Sequence, residues 1–177
     1  QGQWGIAIGG GAALANQGAR SIAIGRNAGA LDQSSNSIAI GLDAGAIRQK
    51  TESISIGTNA GGNNQASQSI AIGLEAGNTT QGPGSISMGH QAAKKNQGNS
   101  AIAIGNNAGR YDQSNYAIAI GTMAAGLTGP QGPSAIAIGH EAGQVNQGQS
   151  SIAIGEDAGE SNQGKQSIAI GIQSGQT

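Results

Sequence analysis

The tetrapeptide Ile-x-Ile-Gly recurs along the whole chain at a near-constant interval. Its first residue falls at Ile6, Ile22, Ile38, Ile54, Ile70, Ile86, Ile102, Ile118, Ile136, Ile152 and Ile168, so every step is 16 residues except one of 18, from Ile118 to Ile136. Of the 22 slots in these pairs, 21 hold Ile and Met88 holds the other, which leaves little room for drift. Self-similarity at a short fixed period marks a chain that stacks one small unit upon the next. Sixteen residues are too few for a pair of helices. The Ile-Ala-Ile alternation has the period of two that belongs to a strand, and Gly at fixed places breaks helices.

Numbering each unit from its first Ile as position 0 exposes further columns. Position 1 is Ala or Ser, position 3 is always Gly, and position 6 is Ala from Ala12 to Ala158, then Ser174. Position 7 is Gly or Ala. Position 11 is Gln, at Gln17, Gln33, Gln49, Gln65, Gln81, Gln97, Gln113, Gln147 and Gln163. Gln131 joins the series if the two extra residues of the long unit lie between Ala124 and Gln131. All 17 charged residues fall at positions 4, 5, 8–10 and 12–14, so the other positions are shielded and these face water. A disordered segment would show no such pattern.

A three-residue strand cannot bury a face alone, but identical stacked turns can. We therefore expect an all-β parallel β-solenoid of about eleven 16-residue coils, one domain over residues 1–177. At the strand spacing, the rod would be roughly 50 Å long. Gly at position 3 turns the chain, and Ala-Gly at positions 6 and 7 forms the opposite wall. The Gln column is expected to form an amide ladder between coils. With the large apolar side chains assigned to the interior, the Ile pair points inward and the intervening Ala or Ser points outward. That outer column of small residues would suit close packing between chains, so an oligomer is expected.

Composition narrows function. Aromatics are 2% and charged residues 10%, with 33 Gly, no Phe and a single Trp, which is unlike a conventional α/β enzyme. Eight Lys+Arg dispersed along the chain and a net charge of −1 do not make a nucleic-acid footprint. No apolar run reaches the ~18 residues of a membrane span. No signal peptide is visible, and no membrane insertion by this segment is expected. The absence of Cys excludes a disulfide scaffold and a thiolate metal site. The chain opens and closes in mid-pattern, as part of a longer fibrous protein would.

Ser-Ile-Ala-Ile-Gly, at Ser21–Gly25, Ser69–Gly73 and Ser151–Gly155, resembles the Ser-Val-Ala-Ile-Gly repeat of the YadA-like head of trimeric autotransporter adhesins. Similar repeats occur in viral and phage fibre proteins. The family repeat is shorter than the 16 residues here and lacks the regular Ala-Gly and Gln columns. The resemblance implies a left-handed β-roll, a homotrimer, an extracellular, cell-surface or virion-surface location, and attachment to a host protein or glycan. Two alternatives stand beside that reading. One is a purely structural spacer; the other is an ice-binding solenoid presenting the Ala/Ser column.

Few residues suggest chemistry. Gly159, Gly164 and Lys165 approximate a phosphate loop, but Gln166 stands where Ser or Thr would hold magnesium, and no helix is expected to follow. His90 and His140 share position 4 but lie three coils apart, too far for one metal. Glu141, Glu156, Asp157 and Glu160, with His140 beside them, are read as a solvated face. Close carboxylates are also the donors of a hard cation such as calcium. The candidate binding residues are Lys94, Lys95, Arg110, Tyr111 and Tyr116, a basic and aromatic band suited to a protein or glycan. The lengthened loop from Gly126 to Ser134 is read as a turn and a candidate contact loop. No catalytic residue, cofactor or metal is assigned, and the chain is expected not to be an enzyme.

Overall fold

The computed structural model describes residues 1–126 and 129–175, and Leu127 and Thr128 of the long loop lie outside them. Each Ile-x-Ile unit forms a three-residue strand, from Ile6–Ile8 to Ile168–Ile170. The eleven strands pair in sequence order, all parallel and in register, Ile on Ile and Ala on Ala or Ser. A second parallel sheet, Asn63–Gln65, Thr79–Gln81, Lys95–Gln97 and Tyr111–Gln113, lies on another side of the coil. Single bridges extend it towards both ends, among them Leu31 to Ile47 and Val145 to Ser161. No helix occurs among the described residues. The chain is a parallel β-solenoid of ten turns, counted between its eleven stacked strands.

The long unit absorbs its extra residues locally. Ala125 N–H donates to Ala142 O at 2.8 Å, and Gln131 pairs with Gln113, so register is kept on either side of the insertion.

Backbone geometry explains the corner residues. Non-glycine residues at positions 5, 10 and 14 take left-handed φ, as at Asn27 (55°), Asp32 (57°) and Asn36 (56°). Asn and Asp tolerate this region best, which accounts for their frequency at positions 5 and 10. Glycine at position 3 is more extreme. Gly73 has φ +126°, and a Cβ there would sit 2.6 Å from Gly89 O of the next turn.

The alternation along the strands is the reverse of the sequence expectation. The Ala or Ser between the two Ile is fully buried at every strand from Ala23 to Ala153. None of the 22 Ile and Met side chains of the strands is buried. The reason is interior width. A Cβ on Gly77 of the opposite wall would meet Gln81 Oε1 at 2.7 Å and the Ala71 Cβ at 3.3 Å. A space that already brings Ala onto Gly has no room for Ile. The core is thus built of Ala at positions 1 and 6, Ser or Ala at the residue before each strand, and Gln.

The buried Gln column forms a ladder with a second function. Each Gln donates from Nε2 across the interior to the carbonyl of its own unit's first Ile, at 2.7–2.9 Å, from Gln17 to Gln163. Between turns, Nε2 of Gln97, Gln113, Gln131 and Gln147 reaches Oε1 of the next Gln in an unbroken run at 3.1–3.3 Å. Gln33 reaches Gln49 directly as well, at 3.2 Å, and at two places between Gln49 and Gln97 a serine joins the rungs. Ser87 Oγ accepts from Gln81 Nε2 at 3.2 Å and donates to Gln97 Oε1 at 2.7 Å. Ser55 links Gln49 to Gln65 in the same way.

Ala71 lies on the turn between Ser55 and Ser87, and Gln81 Oε1 is buried without a hydrogen-bond partner. In an Ala71→Ser variant the new hydroxyl would accept from Gln65 and donate to Gln81. We expect about 1 kcal/mol of added stability. Thermal unfolding should show a midpoint raised by about 2–4 °C, and a lowered midpoint would contradict the ladder.

Candidate functional site

The outward Ile columns are the most regular surface on the molecule. Eleven strands at ~4.8 Å carry two parallel ranks of large apolar side chains over roughly 50 Å. Stacking makes them shade one another, so most of the central side chains are half-buried, whereas the end strands are open, with Ile8 at 58% and Ile170 at 65% exposure. No charged residue occupies this sheet. A strip of this length and about 12 Å width amounts to on the order of 600 Å², the upper end of what a monomer usually exposes. The sequence carries this signal in its near-constant Ile pairs, but side-chain size alone points to the interior. The Ala/Ser column proposed for chain packing and for ice lies inside the coil, so the ice-binding reading loses its surface.

The opposite sheet is variable. Position 9 runs Ala15, Leu31, Ile47, Asn63, Thr79, Lys95, Tyr111, and later Val145 and Ser161. Here the candidate basic band is assembled. Lys95 and Tyr111 are direct partners in the second sheet. The Lys95 Nζ lies 5.8 Å from the Tyr111 ring centroid, and the Arg110 guanidinium 4.9 Å. Both distances allow cation–π attraction, which holds the ring and the charges as one patch.

Lys94 takes another partner. Its Nζ contacts Glu75 Oε2 at 2.9 Å, and Gln91 Nε2 donates to the same oxygen at 2.6 Å. These hydrogen bonds, Lys94 foremost, hold the Glu75 carboxyl below its ordinary value of 4.5. The contribution to stability is therefore complete above that value and is lost as the pH falls through the lower, folded one. Tyr116 is 63% exposed and sits on the corner leading into the next Ile strand, five residues beyond Tyr111. The structure thus brings Lys95, Arg110 and Tyr111 together, ties Lys94 to an acid, and places Tyr116 at a separate corner.

The acidic stretch also becomes specific. Asp157 N–H donates to His140 O at 2.9 Å, which sets these two turns one upon the other. Donor atoms of His140, Glu141 and Asp157 all lie within 4.8 Å of one another, with His140 Nε2 3.7 Å from Glu141 Oε1. The Gly159–Lys165 stretch is an ordinary turn with a bridge at Ser161 and no helix after it.

Compared with known proteins, the chain matches no family model, no curated protein and no solved structure. Among the described residues, no helix is long and apolar enough to cross a membrane.

Proposed function

We propose that the chain is a non-enzymatic structural and adhesive module, a shaft or head segment of a surface fibre. Copies of the rod pack side by side through their Ile sheets. The single observation that supports this reading is the outward double rank of Ile, invariant but for Met88. An apolar strip of about 600 Å² per partner, doubled over two partners, reaches the lower end of stable interfaces. A second copy is the occupant that fits best, because it offers the same ~4.8 Å ranks in the same length. The resemblance noted above supplies the number of copies, three, and the left-handed winding.

In such an assembly the invariant face is turned inward and the variable second sheet outward. The patch of Lys95, Arg110 and Tyr111 would then be repeated around the fibre. It is suited to a host-surface protein or glycan, and the setting is extracellular, on a cell or virion. Light scattering on the chain at several concentrations tests the assembly. A mass near three times 17.2 kDa is expected. A persistent single-chain mass would overturn it.

A further inference from the structure

The stacking rule of the solenoid makes one cluster stand apart. Residues at the same position of successive turns lie directly above one another, so each carboxylate meets whatever occupies that position next. Every carboxylate except Glu141 and Glu156 has a neutral amide at the same position of a neighbouring turn, as Asp157 has Gln173 on its far side. Asn27 Nδ2 donates to Asp43 at 3.0 Å, Asn16 to Asp32 at 2.8 Å and Asn96 to Asp112 at 2.8 Å. Gln68 donates to Glu52 at 3.2 Å. Along the position 5 column the order is Asn27, Asp43, Asn59, Glu75, Gln91, Asn107, Met123, Glu141, Asp157 and Gln173. Glu141 on Asp157 is the one carboxylate stacked on a carboxylate, in this column or any other. Like charges directly opposite each other in adjacent strands or turns repel.

Beside this pair stands an imidazole. His140 occupies position 4, next to Glu141 and one turn from Glu156. His90, the other histidine, occupies the same position, and its Nδ1 faces the neutral Asn106 Oδ1 at 3.3 Å. The two histidines thus share a backbone setting and differ in what surrounds them. One nitrogen and two carboxylate oxygens within 4.8 Å need to close by only about an ångström to reach the ~3.5 Å separation of donors around a tetrahedral ion. His140 is exposed and the two carboxylates are half-buried at a turn, so side-chain rotation supplies that movement.

We propose that His140, Glu141 and Asp157 form a binding site for a divalent transition-metal ion of the zinc class. The imidazole decides the class. Calcium and magnesium prefer oxygen donors throughout, whereas a nitrogen with carboxylates suits zinc and its neighbours. The ion would offset the carboxylate stack and clamp two adjacent turns.

Calorimetric titration of the full chain with zinc chloride, and separately with calcium chloride, tests the site. The expected result is one saturable zinc site per chain, whatever the oligomeric state. His140→Ala and Asp157→Asn should each weaken it at least tenfold, and His90→Ala should leave it unchanged. Zinc should also raise the thermal midpoint of the native chain and not that of His140→Ala, which gives a readout independent of heats. No saturable zinc binding, binding unaltered by His140→Ala, or equal binding of calcium would each overturn the proposal. The mass by light scattering is measured on the same samples, so a failure of the site is distinct from a failure of assembly.

Discussion

The Gly73→Ala variant is expected to lose about 3 kcal/mol or more of stability. Two effects act together. At φ +126° an L side chain is strained whatever the space, and the added Cβ would stand 2.6 Å from Gly89 O of the next turn. That neighbour is backbone, and it cannot rotate away. The same geometry repeats from turn to turn, with Gly25 on Gly41 and Gly105 on Gly121, so a shift at one turn disturbs the stacking of the next. A solenoid draws its stability from neighbouring interfaces, and a central defect divides the rod into two shorter stacks. Circular dichroism should show a midpoint lowered by at least about 6 °C and a broader transition. Gly171 supplies the control. Its φ is +114°, but a Cβ there meets nothing within 4 Å. Gly171→Ala should therefore cost only the backbone strain. Equal losses at both glycines would show that turn-to-turn contact is not what the column protects.

The second large effect concerns assembly. The double variant Ile102→Lys with Ile136→Lys places two ammonium groups on the Ile sheet. In a single rod both side chains look outward and are only half-buried, so the fold should change by no more than about 1 kcal/mol. Between packed rods each ammonium would be buried against Ile without a partner, a cost of several kcal/mol per ion. Association should weaken by more than a hundredfold, and light scattering should report 17.2 kDa with an unchanged circular dichroism spectrum. Retained association would move the interface elsewhere on the rod. Loss of the spectrum would mean that the Ile columns hold the coil itself together.

Much of this architecture is legible from residue order. The constant period demands stacked units, and the repeat of Ile at the same place in each demands parallel, in-register pairing. The bar on charge at positions 0–3, 6, 7, 11 and 15 separates lining from surface. Gln at position 11 is read as a ladder in preference to a polar surface column because it stays constant while its neighbours vary, and the structure buries it and joins Gln to Gln from Gln33 to Gln49 and from Gln97 to Gln163. The Asn and Asp of positions 5 and 10 carry a signal for left-handed corners, but Arg, Glu, Thr and Met in the same columns dilute it, and it is the structure that places those corners. In the candidate band, the order of residues correctly placed Lys95 beside Tyr111, since they are one period apart. It could not show that Lys94 reaches three positions back on the previous turn to Glu75.

Period two by itself determined that Ile and Ala lie on opposite faces of the strand. It is silent on which face is the interior, and side-chain size pointed the wrong way. Only the tertiary structure decided that. A 16-residue turn brings its two walls so close that Ala at position 1 meets Gly at position 7, and the Gln side chains fill what remains. Hydrophobic burial drives Ile out of water only where there is volume to receive it. Here the single coil has none, so its largest apolar surface stays on the outside of the coil.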